Sequence, residues 1–168
     1  LKALVVSGTE HVDVPEIKRY REVYDRLYQT AVQTSAMEKY HDFGTSVNIG
    51  VLNFLKGLPT KNFLASSFDS AESIGGEIFA EKHLLRRLSC AGCPIGCVHI
   101  AGLKTAFSPH QEFELRKISY DYEPIYSLGS NLGVGSAEGI LQLIDVCERL
   151  GLDVMSAGVV LSWATEAL

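Results

Sequence analysis

The chain has no run of lysine or arginine long enough to cover a face, only short pieces such as Lys82, Arg86 and Arg87, and the formal net charge is −5. A nucleic-acid surface, which needs clustered positive charge, is therefore not expected. Nor does any stretch approach the roughly 20 apolar residues that cross a bilayer, and no charged–apolar–small signal opens the sequence, so no membrane span is expected and the reading is a soluble, intracellular protein. Repeats, low-complexity tracts and linkers are missing too. At 168 residues, 46% hydrophobic and 21% charged, the composition is that of one globular domain and excludes disordered and collagen-like classes.

Cysteine is scarce, four in all, but three of the four fall in Cys90-Ala-Gly-Cys93-Pro-Ile-Gly-Cys97. A chain of this length does not need disulfide staples, and the three are too close together to pair sensibly with the distant Cys147. Three thiols offered from eight consecutive residues point to a metal centre. One candidate is a 4Fe-4S cluster, for which a short run supplies three thiolates and a remote residue the fourth. Gly92 and Gly96 would let backbone N–H groups approach the inorganic sulfides, and Pro94 fixes the turn. Structural zinc held by Cys90, Cys93, Cys97 and His99 is a second candidate, although His99 follows Cys97 too closely to close a tetrahedron easily. Ordinary buried thiols are a third. Cys147 lies on the apolar face of a regular helical pattern and reads as a small core residue.

The fold expected from the pattern is mainly α, a multi-helical domain with a short N-terminal strand, Leu1 to Val6, whose pairing partners lie elsewhere. Asp13-Val14-Pro15-Glu16 reads as a capped helix start, followed by Ile17, Tyr20, Tyr24, Leu27 and Ala31 at helical spacing. A short helix through Val47, Ile49, Val51, Leu52 and Leu55 ends at Gly57-Leu58-Pro59, and Thr60-Lys61-Asn62-Phe63 reads as an irregular loop. A helix is expected from about Asp69 through Arg87, split at Gly75-Gly76, where each glycine costs up to about 1 kcal/mol relative to alanine. That places the cysteines at a helix exit. Phe113, Leu115, Ile118 and Tyr120 read as a short strand or hairpin in a less regular segment. Ser136 caps a helix with Ile140, Leu143, Ile144 and Cys147 on one face, closed by Gly151, and a last helix starts at Ser156. An apolar start without Met and a stop inside a helical pattern suggest a piece of a longer protein.

Several landmarks occur in a fixed succession: Lys2-Ala3-Leu4-Val5-Val6, Gly44-Thr45, Gly57-Leu58-Pro59-Thr60-Lys61-Asn62-Phe63, the cysteine loop, Tyr122-Glu123, Leu128-Gly129-Ser130-Asn131-Leu132-Gly133, and Arg149-Leu150-Gly151-Leu152-Asp153. In that order the chain closely resembles the aldehyde ferredoxin oxidoreductases, tungsten-dependent enzymes, over essentially its whole length. The resemblance implies a three-domain plan. Residues 1–8 would be the end of a preceding β domain, and residues 9–168 a helical domain binding cluster and pterin in a longer enzyme.

The resemblance further implies Cys90, Cys93 and Cys97 as three ligands of a 4Fe-4S cluster, with the fourth cysteine in a missing domain. Glu148, Leu152 and Asp153 would represent the family's DxxGLD pterin motif, Glu148 replacing the first Asp, beside tungsten or molybdenum on a bis-pterin. Glu123 matches the family's Tyr-Glu pair, a proton-handling group near the metal, although the Gly-Pro ahead of that pair is missing here and the stretch from Cys97 to Glu123 is longer. Thr45 matches a Gly-Thr near the substrate cavity and would be catalytic, or else a helix cap; Asn131 would be cofactor-binding, or else structural. Gln142 stands where some members carry an iron-ligating glutamate, so that iron is not expected. The implied activity is oxidation of an aldehyde to a carboxylate with ferredoxin as acceptor, in an oxygen-poor cytoplasm. The alternatives are a related tungsten enzyme acting on another substrate, such as an aromatic thioester, and a non-catalytic iron–sulfur or zinc-stabilised electron-transfer or interaction module.

Overall fold

The computed structural model describes residues 4–11, 13–107 and 112–168. Among them are seven α-helices and one three-stranded sheet, the mainly α architecture expected. The elements are α1 (Ile17–Val32), α2 (Ser35–Phe43), α3 (Asn48–Phe54), α4 (Gly76–Lys82), β1 (Leu84–Leu88), β2 (Val98–Ala106), β3 (Phe113–Tyr120), α5 (Tyr122–Leu128), α6 (Ala137–Leu150) and α7 (Val154–Glu166). Short 3₁₀ turns at Thr45–Val47, Ala71–Ile74 and Ser130–Leu132 join them.

The sheet is antiparallel in the order β1-β2-β3. His99 faces Tyr120 and Ala101 faces Ile118 across β2 and β3, and these four side chains with Leu103 form the buried face. Helix α6 covers that face with Ile140, Leu141, Ile144 and Cys147, which recur at the spacing of one helical stripe. Ser136 Oγ accepts from Gly139 N at 3.2 Å to start α6, and left-handed Gly151, with Leu152 N bonded to Cys147 O at 2.9 Å, ends it. Asp145 clamps the helix to β3 through Arg116 Nη1 at 2.7 Å and also meets Arg149 Nε at 3.1 Å.

Several elements differ from the expectation. Residues 84–87 are not helical: they form β1, because pairing with β2 outweighs the helix preference of leucine and arginine. The cysteines consequently occupy a hairpin turn between β1 and β2 rather than a helix exit. The glycine pair does split the segment, with Gly75 extended (ψ 162°) ahead of α4. Asp13 caps nothing; α1 starts at Ile17 after Glu16, and Val32 is its one buried residue. Helix α7 starts at Val154, before Ser156, because Asp153 Oδ2 accepts from Ser156 N at 2.7 Å. The irregular stretch after Cys97 is the long β2–β3 ribbon. Leu4 to Val6 form no ladder and are 78–91% exposed; an extended segment has no pairing without neighbouring strands, and residues 1–3 lie outside the described residues.

Helices α5 and α7 meet at their backbones. A Cβ on Gly158 would strike Ser127 Oγ and would lie 2.7 Å from the Ser127 carbonyl oxygen. Gly158→Val in the full-length protein is expected to cost about 1–3 kcal/mol by overpacking, read from denaturant unfolding. Adding Ser127→Ala removes the hydroxyl but not the carbonyl, so it should restore less than half of that loss.

Candidate metal centre and pterin-side residues

The turn from Ser89 to Cys97 is shaped by its own backbone. Cys93 N donates to Cys90 O at 3.0 Å, and both Gly92 and Gly96 take left-handed φ angles of 72°. Cys90 is exposed, Cys93 and Cys97 are half-buried, and all three are free thiols. Among the described residues no three Cys, His, Asp or Glu side chains are gathered closely enough to hold a metal ion. The donor set nevertheless fits a thiolate-held cluster in kind: three unpaired thiols on one short turn, whose two left-handed positions disfavour any residue but glycine.

The four-ligand zinc set fits less well. His99 is fully buried, its Nε2 lies 3.0 Å from His41 O and its Nδ1 3.2 Å from Tyr120 Oη. The carbonyl requires Nε2 to be the donor, which leaves Nδ1 to accept from the phenol. Both ring nitrogens are spent. Burial holds the His99 imidazole below its ordinary pKa and pushes the Tyr120 phenol up, so the pair stays neutral.

Thr45 reaches the start of α5 at the residue before Glu123. Thr45 Oγ1 accepts from Tyr122 N at 3.0 Å, satisfying one of the orphan donors of that helix end. The Thr45 hydroxyl thus fixes the backbone immediately before Glu123, whose side chain is exposed. Asp121, two residues earlier, has its carboxyl raised above the ordinary value by desolvation and then by the charge of Glu123.

Leu152 and Asp153 lie in the α6–α7 turn, and Glu148 on the last turn of α6, exposed. Leu152 and Asp153, but not Glu148, border an apolar cavity of about 500 Å³ together with Leu128, Cys147, Leu150 and Leu161 among others. Desolvation and the nearby Asp145 push the Glu148 carboxyl up, whereas the bonds from Ser156 hold Asp153 down. Asp153 therefore has a local duty as a helix cap. Burial also raises the Cys147 thiol, in keeping with its place in the core.

Asn131 stands apart from that turn. It is buried, its Nδ2 donates to Ser162 Oγ at 2.9 Å, and its Oδ1 has no hydrogen-bond partner. It borders a separate cavity of about 320 Å³ with Lys61, Ser162 and Glu166, toward the other end of α7 from Asp153. Its carbonyl also accepts from Asn62 N at 2.9 Å, and Ser130 O accepts from Lys61 N at 2.9 Å. The Leu-Pro-Thr-Lys-Asn-Phe and Leu-Gly-Ser-Asn landmarks, distant in sequence, are thus bonded to each other. Residues missed by sequence reasoning are His41 and Arg87, which hold the cysteine turn; neither stands in a recognisable motif.

The Asp153 cap makes stability depend on pH with a definite sign. A carboxylate whose folded pKa is lowered contributes stability above its ordinary value of 3.8, and this is lost as the pH falls through the lowered value. Asp153→Ala is expected to lower the unfolding midpoint of the full-length protein at pH 7, with the gap to wild type closing below about pH 4. Asp153→Asn, a good cap in its own right, should stay near wild type at pH 7. A gap that does not change with pH would contradict the capping role.

A sequence profile described as aldehyde ferredoxin oxidoreductase, domains 2 and 3, matches residues 20–168. The tungsten-containing aldehyde ferredoxin oxidoreductases of Pyrococcus furiosus and Thermococcus kodakarensis are each 31% identical over 170 residues, covering 99% of this chain and 26% of theirs. An aliphatic sulfonate oxidoreductase, WOR-like subunit, of Pyrococcus furiosus is 26% identical over the same span. The chain spans about a quarter of the length of these relatives. With the profile match over residues 20–168, the chain belongs to the aldehyde ferredoxin oxidoreductase family.

Proposed function

We propose that this chain is the helical, cluster-bearing part of a tungsten (or molybdenum) bis-pterin oxidoreductase that oxidises an aldehyde to a carboxylic acid and passes the electrons to ferredoxin. Residues 9–168 form that part and residues 1–8 the end of a preceding β domain. The observation that carries the reading is the free-thiol turn Cys90–Cys97, together with the family match that runs through it. In this reading the remaining domains of the same protein supply the fourth cluster ligand, and the substrate is a small-molecule aldehyde. No described helix is long and apolar enough to cross a membrane; a cytoplasmic location belongs to the proposal.

The bound metal–pterin group supplies the two-electron oxidation of aldehyde plus water to acid, and the cluster the one-electron exit. The chain's own residues do the rest. Cys90, Cys93 and Cys97 hold the cluster as thiolates. Glu148 at the end of α6 and Asp153 in the α6–α7 turn accept N–H donors of the pterin, and Leu152 lends an apolar flank. Glu123 takes up a proton as the acid forms, its backbone fixed by the Thr45 hydroxyl. Asn131 would offer its unpartnered Oδ1 to a donor, at a place separate from the α6–α7 turn.

A second reading, a related enzyme with another substrate, is favoured by the relative named for an aliphatic sulfonate. Anaerobically purified full-length protein should contain tungsten or molybdenum, iron and labile sulfide, and should reduce ferredoxin with aldehydes. Glu123→Gln is expected to lower kcat about 10²–10⁴-fold with metals retained, and Cys97→Ser to lower iron content. Absence of all three metals would overturn the reading, and metals without aldehyde turnover would favour the second.

A further inference from the structure

The cysteine turn does not stand on its hairpin alone. His41, near the end of α2, has its Nδ1 2.7 Å from Ile95 O inside the turn. The His41 carbonyl oxygen meanwhile accepts from His99 Nε2 and from Arg87 Nε, both at 3.0 Å, one donor from each strand of the hairpin. Arg87 Nη2 reaches the next carbonyl, Asp42 O, at 3.5 Å. The ring is also in close packing: a Cβ on Gly96 would lie 3.2 Å from His41 Nδ1. At the adjoining position, a Cβ on Gly44 would lie 3.3 Å from Cys97 O.

We propose that His41 is a positioning residue for the cysteine turn. It binds the turn through its ring and both flanking strands through its carbonyl, and so fixes where Cys93 and Cys97 stand relative to α2. A carbonyl accepts from the ring, so Nδ1 carries the proton. The same helix end runs on through Gly44 to Thr45, whose hydroxyl holds Tyr122 N. One short stretch, 41–45, therefore sets both the thiol turn and the backbone before Glu123. That Cys90, Cys93 and Cys97 hold a cluster is the reading above, and only the spectroscopic arm of the test rests on it.

The test uses the full-length protein as wild type, His41→Ala and His41→Asn; the asparagine Nδ2–H can stand in for the histidine Nδ1–H. Hydrogen exchange of the amides in residues 93–97 is expected to be about tenfold faster in His41→Ala, the effect of one lost hydrogen bond, and within about threefold of wild type in His41→Asn. In iron-loaded protein the reduced cluster's electron paramagnetic resonance line shape and midpoint potential should change in the alanine variant and return in the asparagine variant. Exchange equal in wild type and His41→Ala, or equally fast in both variants, overturns the proposal. Wild-type protein that binds no iron overturns the cluster reading instead, while the exchange arm still decides the role of His41.

Discussion

The last carbonyls of α2 are a liability that the fold turns into a joint. A helix end leaves carbonyl oxygens without intrahelical donors, and here His41 and Asp42 present theirs to the β1–β2 hairpin. Arg87 brings a charged donor to that end, where the helix dipole favours it. His99 brings a neutral one from inside the core and is itself held by Tyr120, whose ring stacks on Phe79. The pairing of α2 with the hairpin thus links the buried core to the exposed turn, and the spacing of the thiols follows from that link.

Helix α5 distributes the same rigidity to the other side of the molecule. Its first amide is tied to Thr45, its Ser127 meets Gly158 of α7, and the 3₁₀ turn after it carries the loop at residues 59–63. Seven residues suffice because each end is bonded to a different element. The thiol turn, the α5 start and the α6–α7 turn are thereby held in one frame, although no side-chain contact runs directly between the cysteines and Asp153.

Helix α6 was legible because its signals agree: a Ser cap, a regular stripe and a closing glycine. The cysteine turn was legible because its residue types have few other uses at that spacing. Strand β1 was not, since Leu-Leu-Arg-Arg-Leu favours a helix until β2 is beside it, and β2 itself hides its buried face behind a histidine and an alanine. Residues His41 and Arg87 escaped because the partners of both side chains are main-chain carbonyls, and His41 adds its own carbonyl; main-chain partners leave no mark on residue identity. Asp153 was placed beside a cofactor by resemblance, while its capping bond came into view with the true start of α7.

Lys61, Asn62 and Phe63 are three consecutive non-glycine residues with φ of 48°, 54° and 62°. Each such residue carries strain of order 1–3 kcal/mol, which the surroundings must over-determine. The surroundings here are the carbonyls of Ser130 and Asn131, the hydroxyl of Ser162 and the carboxylate of Glu166, which accepts from Asn62 Nδ2. A loop loaded in this way opens as soon as its holders let go, so its local opening is coupled to fraying of the last turns of α7. The two segments, about a hundred residues apart, are bonded directly to each other, so loosening either one removes holders of the other.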